Sequence, residues 1–253
     1  ITGEVLRYEV DNIDALNFVA HGALGGGEFY DLIEAYHPSD MPGEVARRGR
    51  RALTMAIPPI GERFASHAAF GEALMPDLLS TLPAKPAVEV ATELRSMLFL
   101  NRGESWEAVP LPREAQWSPV LGVSVADVNA DGFEDVLLSQ NFFAMRIEWP
   151  RTDAGRGCVL LGDGRGGFRS LDSRESGVVV LGEGRGGAVA DIDRDGRVDW
   201  VTTQNGAPTR VFRNVVPTTG MRVRLKGGGK NPLAIGATVR LRRAEGLGPA
   251  REI

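Results

Sequence analysis

Two nine-residue stretches carry the chemistry this sequence most plainly offers. Asp127-Val-Asn-Ala-Asp-Gly-Phe-Glu-Asp135 recurs as Asp191-Ile-Asp-Arg-Asp-Gly-Arg-Val-Asp199. Oxygen donors alternate along each: Asp127, Asn129 and Asp131 in the first, Asp191, Asp193 and Asp195 in the second. A hard divalent cation such as Ca2+ takes about six to eight oxygens at roughly 2.3–2.6 Å, and donors one residue apart can turn inward together. Gly132 and Gly196 stand where the chain must turn sharply. Asp135 and Asp199 close the loops at the ninth position, and the backbone carbonyls of Phe133 and Arg197 at the seventh complete the expected ligand sets. The expectation is two calcium sites.

An EF-hand needs a bidentate Glu at the twelfth position, where this chain has Leu138 and Thr202. The flanks are β-type instead: Val123, Val125, Val136, Leu137 and Leu138 around the first loop, Val189, Val198, Trp200 and Val201 around the second. The plainer alternative is an Asp/Asn/Gly turn between strands that binds nothing. Two loops in identical register favour the cation, because converging carboxylates repel one another without one.

The elements that must position these loops lie in the second half, where short β runs and many of the 32 glycines fall. Met97–Asn101 and Trp106–Leu111 read as a hairpin, Asp135–Ser139 and Cys158–Leu161 as strands, and Gly162–Gly167 as a tight turn. The glycine run lacks the Gly-Lys-Ser/Thr ending and following helix of a phosphate loop. Its string Leu-Gly-x-Gly-Arg-Gly-Gly returns at Leu181–Gly187, ahead of the second acidic loop, and Arg210–Asn214 reads as another strand. Strands repeating at long period with acidic loops in the turns suggest propeller blades.

The first half differs. Val5–Val10 and Ala15–Ala20 read as strands, and Asp11, Asn12 and Asp14 lack the spacing and glycine of a metal loop. Residues 39–94 read as a helical insertion, with Leu53, Ile57, Ile60, Phe64, Phe70, Leu74 and Leu78 near helical spacing. Pro58-Pro59 should break it, Ser66 can cap the next helix, and Pro76 suits a first turn. Arg47, Arg48, Arg50 and Arg51 read as a solvated face, and the three histidines, His21, His37 and His67, are too scattered for a transition metal.

A net charge of −4 argues against a nucleic-acid partner, and no apolar run is long enough to span a membrane. The lone Cys158 sits in an apolar run and reads as a buried hydrophobe. Ser139 and Ser170 have no histidine nearby in sequence, so no nucleophile arrangement is visible.

The acidic loops resemble the FG-GAP/VCBS repeats of integrin-α-like propellers. Pro110–Gln116, Ser139–Phe143, Leu160–Gly164 and Glu175–Gly177 are similar to strings of the ASPIC/UnbV, cartilage-acidic-protein-like group, and Met221–Gly227 with Asn231-Pro232 and Ile235–Val239 resembles the start of an ASPIC/UnbV domain. The resemblance implies a mainly β chain with incomplete propeller blades. It divides the chain into a partial blade at 1–38, the helical insertion at 39–94, blades with two calcium loops at 95–217, and the start of a C-terminal β domain at 218–253. About three to four blades fall short of a closed ring of four to eight, so a longer protein with further blades is expected. The implied function is a calcium-dependent, non-catalytic binding or adhesion module of an exported, periplasmic or cell-surface protein. Its partner would be a protein or carbohydrate; Phe142, Phe143 and Trp149 read first as core aromatics, with contact to that partner as the alternative where they are exposed. The alternative is an accessory propeller of a hydrolase-type enzyme.

Overall fold

A computed structural model describes residues 18–26, 28, 30–38, 40–144, 152–221, 223–243, 246–248 and 250–252. The strand readings before Phe18, the Asp11–Asp14 segment and Trp149 lie outside the described residues. The chain is mainly β and divides into two compact units, Thr2–Arg95 and Ser96–Ile253.

In the first unit, β1 (Phe18–Gly22), β2 (Asp31–Tyr36), β3 (Val45–Ala46) and β4 (Ala87–Val90) form an antiparallel sheet in the order β3-β2-β1-β4. Four short helices connect β3 to β4: α1 (Arg50–Ala56), α2 (Pro58–Arg63), α3 (His67–Gly71) and α4 (Met75–Leu79). The proline ring at 58 disfavours helical geometry at Ile57, which sits outside the helical region at φ −131° and ψ 82°, and α2 starts on the prolines. Ser66 Oγ accepts the Ala69 N–H at 3.1 Å, capping α3, and Pro76 lies in the first turn of α4. Ala20, Ile33 and Ala35 from the sheet share one buried core with Leu53, Ile57, Ile60, Met75 and Leu78. The helical stretch is therefore one layer of a two-layer unit, and its far end returns as β4 to pair with β1. Arg50 is also more than a solvated residue, since its Nε donates to the Phe64 carbonyl at 2.6 Å.

The second unit begins with the hairpin β5 (Met97–Asn101) and β6 (Trp106–Pro110). Next comes a four-stranded antiparallel meander of β7 (Val120–Ala126), β8 (Asp135–Gln140), β9 (Cys158–Gly162) and β10 (Phe168–Leu171), followed by the short α5 (Ser173–Ser176). A three-stranded meander of β11 (Glu183–Ala190), β12 (Asp199–Asn205) and β13 (Ala207–Phe212) completes the larger sheets. Beyond it, Thr238–Val239 pairs with Arg251–Glu252 and Arg242–Arg243 with Gly246–Leu247. Among the described residues, no helix is long and apolar enough to cross a membrane.

Every residue of β8 is buried, because its sheet is covered on both faces. Val136, Leu138, Cys158 and Leu160 pack with Ala115 on one side. Leu137 and Val159 pack on the other with Val178, Val180 and Trp200, so the two meanders lie face to face. Burial pushes the Cys158 thiol up to about 12. Glycines permit the close approach of the sheets: a Cβ on Gly122 would lie 3.1 Å from the Gly186 backbone, and one on Gly187 would lie 2.8 Å from both Ser124 Oγ and Trp200 Nε1. Across the same seam, Ser139 Oγ and Thr202 Oγ1 are hydrogen-bonded at 2.8 Å.

The repeated glycine string folds in two ways. At Leu161–Gly167 it is a hairpin turn, with Asp163 Oδ1 accepting the N–H groups of Arg165 at 2.8 Å and Gly167 at 2.9 Å. At Leu181–Gly187 it runs into β11. The residue at the third position decides between them. Glu183, one methylene longer than Asp163, reaches away from its own turn to accept from Phe143 N at 2.9 Å, Asn205 Nδ2 at 2.7 Å and Arg185 Nη2 at 2.8 Å. Burial acts to raise the Glu183 pKa, but the Phe143 N–H, Asn205 and Arg185 outweigh it and hold the carboxyl below its ordinary value.

Two outcomes follow from this packing. Gly187→Ala should cost about 1–3 kcal/mol in urea unfolding, because the added methyl meets a buried indole that has no room to retreat. Glu183→Gln should be less stable than wild type at neutral pH. A depressed folded pKa contributes stability above the unfolded value that is lost as pH falls through the folded one, so the two urea midpoints should converge on acidification below about pH 4.

Candidate metal centre

Each acidic loop joins two neighbouring antiparallel strands in the same register, with Ala126 facing Asp135 across β7 and β8, and Ala190 facing Asp199 across β11 and β12. The loops also share their backbone path. The fourth and sixth residues are left-handed in both: Ala130 at φ 58° and Gly132 at φ 95°, Arg194 at φ 65° and Gly196 at φ 87°. Glycine relieves the sixth position, while the fourth holds a side chain in a conformation L residues seldom adopt.

The loops' own carboxylates hold that path by gathering backbone N–H groups. In the first loop, Asp127 accepts from Asp131 N at 3.0 Å and Gly132 N at 2.8 Å, Asn129 Oδ1 from Asp131 N at 3.0 Å, and Asp131 Oδ1 from Phe133 N at 2.8 Å. The second repeats the pattern: Asp191 accepts from Gly196 N at 3.2 Å, Asp193 from Asp195 N at 3.2 Å, and Asp195 from Arg197 N at 2.9 Å.

The ninth-position aspartates are buried braces. Asp135 accepts Val128 N at 2.8 Å and Gly162 N at 2.9 Å, and Asp199 accepts Ile192 N and Asn214 N, both at 2.9 Å. Each ties the start of its loop to the strand or segment beyond. Burial raises the Asp135 pKa against the opposing Gly162 and Val128 N–H groups, and the nearby Asp131 and Asp127 charges add to the rise. A cation among these carboxylates would reverse that last contribution.

The loops differ in how their charge is balanced. In the second, carboxylate oxygens of Asp191, Asp193 and Asp195 lie within 4.8 Å of one another. Arg213 Nε stands 2.5 Å from Asp193 Oδ2, and Arg197 Nη1 stands 2.5 Å from Asp195 Oδ2. Desolvation opposes ionisation of Asp195, yet the Arg197 N–H and guanidinium, with Arg213, hold its pKa below the ordinary value. In the first loop Asn129 replaces one carboxylate, and Phe133 stands where the second loop has Arg197. The Arg251 guanidinium pairs there with Glu134, its Nη2 at 2.8 Å from Oε2.

Of the expected ligands, the structure gathers the side chains of Asp191, Asp193 and Asp195 into one cluster. Asp127, Asn129 and Asp131 lie on a loop of the same path, while Asp135 and Asp199 sit beneath the loops. The donors are all oxygen, which suits a hard divalent cation and not zinc or copper. Three contributors escape the spacing argument: Arg213, the left-handed fourth residues, and Asn214. β13 ends at Phe212, two residues short of the strand expected through Asn214, and frees Arg213 and Asn214 to turn toward the loops.

No protein-family model matches this chain, and no curated protein matches it.

Asp135→Ala orphans two backbone donors, one of them on the buried Gly162 contact, and should cost about 2–5 kcal/mol even with chelator present. Denaturant unfolding in EDTA measures this bracing role separately from any cation.

Proposed function

We propose that this chain is a calcium-binding, non-catalytic β module of the FG-GAP/VCBS type, built of propeller-like blades and belonging to an exported protein. The observation that carries the reading is the pair of acidic loops: same spacing, same strand register, same left-handed positions and same N–H to carboxylate pattern. Asp127, Asn129, Asp131 and Asp135 would hold one ion, and Asp191, Asp193, Asp195 and Asp199 the other, with the carbonyls of Phe133 and Arg197 as further donors. The ion's chemistry here is electrostatic: it neutralises converging carboxylates and ties two strands of a sheet together. At the second loop it competes with Arg197 and Arg213. Arg213 is well exposed and free to leave, with a side chain 64% accessible.

The antiparallel meanders packed face to face support the blade reading, and calcium chemistry supports a location outside the cytoplasm, where the ion is abundant. A protein or glycan partner finds support at an unexpected place. Phe142 and Phe143 are half-buried, and the Arg185 guanidinium lies 5.3 Å from the Phe142 ring centroid. Among the described residues, the most exposed aromatics of this unit are instead Phe99 and Trp106, 60% and 67% accessible. The β5–β6 register places them on one face, since Phe99 and Asn101 alternate to the same side and Asn101 faces Trp106. Exposed aromatic pairs of this kind stack on sugar rings or apolar side chains.

The test is titration of the chelated chain with calcium chloride, read by calorimetry and by thermal melting. Saturable binding should raise the melting temperature in proportion to ln(1 + [Ca2+]/Kd), and Asp193→Asn with Asp195→Asn should remove one site. Absence of heat, with an unmoved melting temperature at millimolar calcium, would refute the reading.

A further inference from the structure

The segment after β13 reaches both acidic loops, and its contacts are unevenly shared between side chains and backbone. Asn214 is the hub. Its N–H goes to Asp199 Oδ1 at 2.9 Å, and its Nδ2 donates to Val128 O of the first loop at 2.7 Å and to Val198 O of the second at 3.2 Å. Its Oδ1 accepts the Val216 N–H at 3.0 Å, which turns the segment back. From there Arg197 Nε donates to Val216 O at 2.7 Å, Thr218 Oγ1 donates to Asn129 O at 2.7 Å, and Gly220 N donates to Gly196 O at 2.7 Å. The first loop is thus held by two side chains, Asn214 and Thr218, while the second is held through the segment's backbone together with the Asn214 carboxamide.

We infer that residues 214–220 form a clasp that makes the two loops one cooperative element, so that loosening either loop loosens the other. The carboxamide of Asn214 cannot keep both of its donated bonds if Val128 and Val198 move apart, which makes each loop's position a condition of the other's. The repeat shows that this is an added feature and not a consequence of the loop motif. Gly162 donates to Asp135 as Asn214 donates to Asp199, yet it has no side chain with which to reach a neighbouring loop. Among the described residues the clasp therefore occurs once, joining the second loop back to the first. Val128 and Trp200 pack in the same apolar cluster, so the clasped loops rest on the seam between the two meanders. Asn214 and Thr218 are positioning residues in this scheme. If the calcium reading above holds, on which only this consequence rests, filling one loop favours filling the other, because both ions need the same arrangement of the segment.

Amide hydrogen exchange on the whole chain tests this, first in EDTA with no cation present. Thr218→Val removes a bond to the first loop alone. It should nonetheless speed exchange several-fold, up to about tenfold, at Ile192, Gly196 and Arg197 of the second loop as well as at Val128 and Phe133 of the first. Asn214→Ala should do so more strongly in both loops. Amides of β9 serve as the control for intact folding. An effect of Thr218→Val confined to the first loop, or no effect on either, overturns the clasp. In a second arm calcium chloride is added to wild type and to the chain carrying Asp193→Asn and Asp195→Asn. Coupling predicts that calcium protects the first loop less in the variant, and equal protection counts against it. If calcium protects neither loop of the wild type, the calcium reading fails, while the EDTA arm still decides the clasp.

Discussion

A buried carboxylate holding two backbone N–H groups is the interaction on which the second unit depends. Asp135 and Asp199 each accept one N–H from the start of their own loop and a second from farther along the chain, Gly162 at the end of β9 or Asn214 just past β13. Such bonds to a desolvated, charged acceptor are stronger than neutral ones, and breaking one leaves a buried group unsatisfied. They therefore set where each loop leaves its sheet. The remaining acidic residues then need only arrange the short path between, and they do so by collecting nearby N–H groups.

Packing of the two meanders places these braces side by side. The sheets approach through Gly122, Gly186 and Gly187, where ordinary side chains would collide, and are held by the Leu137, Val159 and Trp200 cluster with the Ser139–Thr202 hydrogen bond. Close approach brings the Val128 carbonyl within reach of Asn214. A repeat that spacing shows only as two similar strings thereby becomes two loops with a shared fastening. The loops are not equivalent, since Arg197 from within the loop and Arg213 from beyond β13 pair with carboxylates of the second, while the first carries an asparagine and a phenylalanine at the corresponding third and seventh positions.

The sequence by itself determined whatever depends on groups a few residues apart. The acidic loops, the Ser66 cap, the break at Pro58 and the Gly162–Gly167 turn are all legible because each rests on bonds or steric limits within a single turn of chain. The apolar run at Cys158 also announced its burial. Tertiary structure decided what depends on reach across the fold. The same glycine string became a turn with Asp163 and a strand with Glu183, because the longer side chain found Phe143 and Asn205, which are distant in sequence. The helical stretch proved to be a layer sharing its core with β1 and β2, as hydrophobic spacing shows which face is apolar but not what covers it. Asn214 carries no local signature at all: its carboxamide acquires meaning only where two loops more than sixty residues apart are brought to either side of it by the packing of sheets.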